Sequence, residues 1–221
     1  MKNSFLNVLT VSIALLALGF FLSWYLSDSS RMEADLPWQI ETLPDGSIRV
    51  FRIQPGATRL GEFEHHSRAQ GELTLFVPVS GEPVIEAYFD SVTMAGIKAK
   101  MVLLLNVDRQ TIDAMYNRGA RISTLGSGAR KVTLHSDDTA ALRNFIISGI
   151  TYIPAIDLDA ELLQKRFGTP VQKIKDSNNN AVHWLYPDKG LDIALNENDR
   201  EVLQYVHPKD FNRITAPLEN P

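Results

Sequence analysis

The chain has 221 residues and a mass of 24.7 kDa, with 44% hydrophobic and 22% charged residues. This composition is typical of a folded globular protein and excludes a fully disordered or a collagen-like chain. The 22 Lys and Arg residues against 26 Asp and Glu residues give a net charge of −4, so no bulk positive charge favours nucleic acid as a partner. Cysteine is absent, which excludes disulfides, iron–sulfur clusters and thiolate catalysis.

A long apolar segment comes first in chain order. No charged residue lies between Lys2 and Asp28, and Phe5 to Leu26 is almost wholly apolar. A helix of about 22 residues spans roughly 33 Å, enough for a hydrocarbon core of about 30 Å. We therefore predict an uncleaved signal anchor over residues 1–27. The alternative is a cleaved signal peptide, but its apolar core would be shorter, about 7–15 residues.

The charges that flank this segment suggest a topology. Lys2 and the terminal amine precede it, which favours an N-terminus on the cytoplasmic side. The prediction is a single-pass protein of the bacterial inner membrane with a periplasmic C-terminal domain. Residues 28–36 are polar and are predicted to form a tether.

Residues 37–150 are predicted to form a first α+β module. Apolar alternation, Gly and Pro turns and acidic helix caps divide the segment into elements. The segment from Lys98 to Val107 is apolar enough to lie in the centre of a sheet. The predicted helices are 58–67, 108–118 and 136–145, and the predicted strands are 47–53, 72–79, 84–92, 98–107, 130–134 and 149–153.

Residues 151–212 are predicted to form a second module, a helix followed by a four-stranded meander. Asp157 is expected to cap a helix that ends at Phe167, before Gly168 and Pro170. Turn-forming residues separate the four strands. Their predicted ranges are 171–175, 181–186, 191–195 and 201–206, and residues 213–221 are predicted to be a flexible tail.

These elements predict an α+β fold: an N-terminal transmembrane helix, then an antiparallel sheet with helices packed on one face. The order of elements is similar in the two halves, each with a helix, a strand, an aromatic strand and a strand that follows a Gly turn. Two interpretations stay open: the halves are tandem helix-plus-meander modules, or they are two unrelated α+β segments.

The C-terminal third resembles the SmpA/OmlA-type domain of outer-membrane assembly lipoproteins and their β-lactamase-inhibitor-like relatives. The resemblance rests on Arg166–Pro170, His183–Pro187, Gly190–Leu195 and Val202–Tyr205. It implies a domain that binds proteins and is not an enzyme. The chain departs from that pattern because a predicted transmembrane helix replaces the lipidation cysteine. The chain as a whole is also similar to uncharacterised single-span bacterial envelope proteins.

His65 and His66 with Glu62 and Glu64 form the densest set of metal-ligand side chains. Glu62 and His66 would share a helix face, but adjacent histidines point about 100° apart and no third ligand is evident. The spacing also differs from the His-Glu-x-x-His pattern of zinc peptidases. We therefore predict a solvated helix end and no metal. The alternative is the site of a metal-dependent hydrolase.

Three other patterns have structural explanations at the sequence level. Alternating acids at Asp157, Asp159 and Glu161 lack the Gly and final Glu of a calcium loop, so a helix cap is predicted. Residues 126–128, Gly-Ser-Gly, lack the frame of a nucleophile elbow or a phosphate loop, so a turn is predicted. The basic residues between 118 and 131 are predicted to be solvated surface rather than a site for lipid head groups. They are Arg118, Arg121, Arg130 and Lys131.

Aromatic side chains provide the candidate partner-binding residues. Trp184 and Tyr186 share one face of a predicted strand, His183 takes the other face, and Tyr88 lies on the aromatic strand of the first half. Trp and Tyr are frequent interface anchors, although this pair is also expected to be core beneath the 157–167 helix.

The sequence therefore predicts a membrane-anchored, periplasmic binding or scaffold protein that engages another envelope protein. We expect no catalytic activity, no cofactor and no nucleic acid, and the oligomeric state stays open. The alternatives are an envelope enzyme of the metal-dependent hydrolase class and a small-molecule or lipid-binding module with a pocket between helix and sheet.

Overall fold

The structure is a computed structural model that describes residues 35–176, 180–196 and 199–219. Within these ranges no helix combines the length and the apolar composition that a membrane crossing requires. The predicted anchor, Phe5 to Leu26, lies outside them. The finding contradicts the prediction of a transmembrane, single-pass inner-membrane protein with a periplasmic domain, because no described helix could serve as its membrane span.

Five α-helices and twelve β-strands make up the described residues. The helices are α1 (Leu60–Ser67), α2 (Arg109–Arg118), α3 (Ser136–Leu142), α4 (Ala160–Phe167) and α5 (Asn212–Glu219). The strands are β1 (Glu41–Thr42), β2 (Ile48–Arg49), β3 (Glu72–Val77), β4 (Val84–Met94), β5 (Ile97–Asn106), β6 (Arg121–Thr124), β7 (Arg130–Thr133), β8 (Ile146–Pro154), β9 (Gln172–Lys175), β10 (Val182–Tyr186), β11 (Leu191–Leu195) and β12 (Val202–Val206). Two 3-10 turns, Pro187–Lys189 and Pro208–Asp210, follow β10 and β12.

One antiparallel sheet of ten strands runs through the whole described chain. Its order is β6-β7-β3-β4-β5-β8-β12-β11-β10-β9, and β1 and β2 form a separate ribbon. Strand β8 joins the two halves, because it pairs with β5 on one side and with β12 on the other. The predicted module boundary at residues 150 and 151 falls inside this strand.

The predicted fold class is therefore wrong in two respects for the described residues. No transmembrane helix precedes the sheet within them, and the two tandem modules are instead parts of one sheet. The pattern of β8 explains the second error. Its apolar residues fit either half equally well, and only the hydrogen-bond ladders on both of its edges reveal that it belongs to both.

Side chains alternate between two faces of the sheet. The helix-packed face is defined by the cross-strand row Phe89, Met101, Tyr152, Leu203, Ile193 and Trp184. The cavity face is defined by the row Tyr88, Val102, Thr151, Gln204 and Asp192. All six side chains of the first row are at most 5% exposed, so the main core lies on the helix-packed face.

Aromatic contacts close the core on the helix-packed face. Phe63 of α1 meets Phe89 edge to face at 5.3 Å between ring centroids, and Phe167 of α4 meets Tyr186 at 6.2 Å. Phe51 stacks on Tyr152, with ring centroids 4.7 Å apart. Helices α1 and α4 thus both contribute an aromatic side chain to the core on this face.

The C-terminal helix α5 was not predicted. Residues 213–221 were expected to be a tail, but Asn212–Glu219 is helical, and α5 faces the cavity side of the sheet. The helices are therefore not all on one face. The element was not predicted because Pro217 lies inside it, and proline in a helix interior is unfavourable.

Candidate functional site

A cavity of about 310 Å³ lies between α5 and the cavity face of the sheet. Its apolar wall comes from strands β5, β8 and β12 together with α5. The apolar side chains of the lining are Leu104, Val206, Ile214, Pro217 and Leu218. Polar side chains interrupt this wall, and they include His183 of β10 and Asp192 of β11.

A tight hairpin brings His183 and Asp192 together. Tyr186 pairs with Leu191 across the turn, so Leu185 lies opposite Asp192 and His183 lies opposite Ala194. His183 and Asp192 are therefore diagonal neighbours on one face, a spacing that long side chains can bridge. The turn needs Gly190 at φ +54°, where a Cβ atom would come within 2.0 Å of the carbonyl oxygen of Val206.

The two side chains form a buried hydrogen-bonded pair. His183 Nδ1 lies 2.7 Å from Asp192 Oδ2. The side chain of Asp192 is fully buried and that of His183 is 10% exposed. The second carboxylate oxygen, Oδ1 of Asp192, is buried and has no hydrogen-bond partner among the described residues. One acceptor beside the cavity is therefore left unsatisfied.

The environment raises the pKa values of both His183 and Asp192. The hydrogen bond to Asp192 raises the pKa of His183, while burial opposes this rise and the negative charge of Asp192 and Asp176 adds to it. Burial raises the pKa of Asp192, and the hydrogen bond from His183 acts in the opposite direction. The pair thus retains protons to higher pH than the two isolated groups would.

Further polar residues line the same cavity. Among them are Thr151 on β8, Gln204 on β12 and Arg213 on α5. Arg213 is exposed and has no ion pair with another described residue. The arrangement can therefore offer a guanidinium group, a hydroxyl and an amide to a molecule that contacts the apolar wall.

Three of the four side chains in the predicted histidine cluster contact residues outside it. His66 Nε2 lies 3.4 Å from Oδ2 of Asp35, whereas Glu62 contacts Arg59 at 3.6 Å. Glu64 is buried, accepts from the backbone N–H of Gly71 and pairs with the guanidinium of Arg143 at 3.0 Å. No group of three or more His, Asp or Glu side chains that could hold a metal occurs in the part of the chain that the structure describes.

The acidic residues before α4 and the Gly-Ser-Gly segment have structural roles in the fold. Asp159, rather than the predicted Asp157, caps α4 by accepting from the N–H of Leu162 at 2.7 Å. Asp157 pairs with Arg200 instead. Residues 126–128 form the turn between β6 and β7.

Most of the basic cluster is engaged within the chain. Arg118 pairs with Asp138 at 2.6 Å, and Lys131 pairs with Glu72 at 3.2 Å. Arg130 donates to the hydroxyl of Tyr116. Because these cations already have internal partners, the geometry offers little to an external anion.

The four aromatic and histidine candidates do not form one surface. Trp184 is 5% exposed and lies under the ammonium group of Lys173, 3.9 Å from its ring centroid. Tyr186 is 4% exposed and its hydroxyl donates to the carbonyl oxygen of Gly168. Tyr88 is half-buried and bonds to Asp90 on the cavity face, where His183 also lies. The structure thus brings only His183 to the cavity.

Comparisons of the chain with protein-family models, with curated proteins and with solved structures give no match. The resemblance to the SmpA/OmlA-type domain therefore stays a prediction.

Asp192 is the site residue that the sequence analysis missed. The signal that could have found it is the turn at 187–190, which sets the register of the hairpin and makes positions 183 and 192 diagonal neighbours. Alternation alone placed His183 and Trp184 on different faces of their strand. It could not identify the strand that pairs with it.

Proposed function

We propose that this protein binds a small, mainly apolar molecule in the cavity between α5 and the sheet. The observation that carries the proposal is the cavity itself, where an apolar wall is interrupted by the His183–Asp192 pair. The imidazole of His183 is 10% exposed, whereas Asp192 is fully buried behind it. A ligand with an apolar body and a polar group that reaches the imidazole would fit this lining.

Size and lining support the proposal. Ligand cavities commonly have volumes of about 300–1,000 Å³ and combine apolar walls with a few polar groups. The 310 Å³ cavity has this character, and Arg213 stands at its edge on α5. We expect Arg213 to attract an anionic group on a ligand whose apolar body contacts Leu104 and Val206.

The direct test measures binding of 1-anilinonaphthalene-8-sulfonate, an apolar aromatic anion, to the folded protein. Val206→Phe fills the cavity, and Val171→Phe makes the same change at a valine that is 74% exposed. We expect the cavity variant to weaken binding at least tenfold, which corresponds to about 1.4 kcal/mol. The control should bind as the wild type does. Equal binding by all three proteins would overturn the proposal.

The hypothesis of a protein-binding scaffold stays a prediction. Its candidate anchors, Trp184 and Tyr186, turn their rings into the helix-packed core and leave at most 5% of their surface exposed. Hot-spot aromatics act by entering a pocket on the partner, which requires accessible rings. The geometry therefore supports the small-molecule function more strongly than the scaffold function.

A further inference from the structure

The two ring nitrogens of His183 have different environments. Nδ1 is engaged by Asp192 at 2.7 Å, while Nε2 makes no hydrogen bond within the described part of the chain. A carboxylate that accepts from Nδ1–H holds the neutral imidazole in the tautomer whose lone pair is on Nε2. That lone pair belongs to a side chain that lines the cavity.

We propose that His183 is a general base for a carbon acid bound in this cavity. The substrate class is a small, mainly apolar molecule whose C–H bond is acidified by a neighbouring electron-withdrawing group such as a carbonyl or a C=N bond. The proton moves from carbon to Nε2 and the C–H electron pair forms a new π bond. The negative charge moves onto the electron-withdrawing group or onto an oxygen whose bond breaks. Return of the proton to the product or to water restores the base, so neither an oxidant nor a reductant is consumed.

The cavity suits this proton transfer. Apolar residues line much of it, which strengthens electrostatic interactions there, and the guanidinium of Arg213 can stabilise the negative charge that develops. Asp192 is a positioning residue, because it contacts the imidazole and not the reacting carbon. The inference rests on the proposed function, since a substrate must enter the cavity before His183 can act on it.

The charged groups around His183 set the pH dependence. They are Asp192 on β11, Asp176 after β9 and Arg213 on α5. The two acids favour the imidazolium form, which is inactive as a base. Activity should therefore rise with pH through an inflection above the ordinary histidine value of about 6.5.

The test uses 5-nitrobenzisoxazole, a probe for bases in apolar sites. Removal of its C3 proton forms a nitrile, breaks the N–O bond and releases a coloured phenolate. General bases contribute about 100-fold to 10,000-fold, so we expect a saturable rate well above that of buffer. His183→Gln should lower this rate at least about 100-fold, and His65→Gln, at an exposed histidine outside the cavity, should not change it.

Two further variants guard against a simple loss of folding. Asp192→Asn removes the main cause of the raised His183 pKa, so the inflection of the pH–rate profile should move to lower pH. Val206→Phe leaves the pair intact but blocks the cavity, and it should also abolish the reaction.

The outcomes separate the two proposals. If the probe displaces 1-anilinonaphthalene-8-sulfonate but reacts no faster than in buffer, the general-base inference fails and the binding function stands. A rate that survives His183→Gln, in a protein that still folds, overturns the inference in the same way. If 1-anilinonaphthalene-8-sulfonate itself does not bind in the cavity, both proposals fail.

Discussion

The hydroxyl of Tyr205 donates to the carbonyl oxygen of Pro37, which lies 168 residues earlier in the chain, at 2.8 Å. This bond fastens the start of the described chain to β12. Tyr152, the neighbouring aromatic on β8, also has a buried hydroxyl, but that oxygen has no partner among the described residues. Both rings contact Phe51, so the two tyrosines have similar surroundings and differ in whether the hydroxyl has a partner.

Removal of each hydroxyl should have a different effect on stability. We expect Tyr205→Phe to lower the free energy of unfolding by about 1–2 kcal/mol, because a buried carbonyl loses its donor. Tyr152→Phe removes an unsatisfied hydroxyl and should be neutral or stabilise by up to about 1 kcal/mol. Urea denaturation at neutral pH measures both, and equal losses in the two variants would contradict this assignment.

The turn that sets the β10–β11 register should depend on Gly190. A Cβ atom there would lie 2.0 Å from the carbonyl oxygen of Val206, whereas at Gly168, with φ +84°, it would meet nothing within 4 Å. Gly168→Ala should cost about 1–3 kcal/mol from backbone strain alone, since φ +84° with ψ −169° is a conformation that almost only glycine adopts. Gly190→Ala should cost at least about 2 kcal/mol more, because the backbone must move. A thermal melt compares the two, and similar melting temperatures would refute the steric argument.

The stability of the protein should depend on pH through His183. Its folded pKa is raised chiefly by the hydrogen bond to Asp192, so the stabilisation is complete below the unfolded value of about 6.5 and is lost as pH rises through the folded pKa. In Asp192→Asn the carboxylate that raises the pKa of His183 is absent, while burial of the imidazole still lowers that pKa. The slope of unfolding free energy against pH above about 6.5 should then become flatter or reverse. Denaturation series at several pH values test this, and identical slopes in both proteins would contradict it.

Replacement of His183 alone should lower the free energy of unfolding more than replacement of His183 and Asp192 together. His183→Leu leaves the fully buried Asp192 without its partner and should cost about 3–5 kcal/mol at neutral pH. The double variant His183→Leu/Asp192→Leu removes both polar groups and should recover most of that loss, since apolar replacement of a buried pair is often neutral. A double-mutant cycle by chemical denaturation measures the coupling. Additive losses would show that the two side chains do not act as a unit.

Local sequence signals predicted many of the elements. Asp108 accepts from the N–H of Thr111 at the start of α2, as its position before an apolar stripe predicted. The predicted central strand, 98–107, is β5, which lies fifth in the ten-stranded order. The four strands of the last third were also predicted to within one residue at each end. Capping and alternation depend on neighbouring residues alone, which is why they can be read from sequence.

Features that depend on distant pairing were not predicted. The union of two halves through β8 requires ladders to β5 and β12, which are separated along the chain by almost one hundred residues. The cap of α4 was assigned to Asp157 because two acids two residues apart fit the pattern equally, and the contact with Arg200 decides between them. One wall of the cavity is α5, and this helix was predicted to be a tail because it contains Pro217.

The most direct measurement of the central claim is the imidazole NMR spectrum during titration with 1-anilinonaphthalene-8-sulfonate. The chain has five histidines, so each signal can be assigned by a single His→Gln substitution. The cavity model predicts that the His183 signals shift saturably, that those of His65 and His135 stay unchanged, and that Val206→Phe abolishes the shift. Saturable binding that leaves the His183 signals in place would contradict the account.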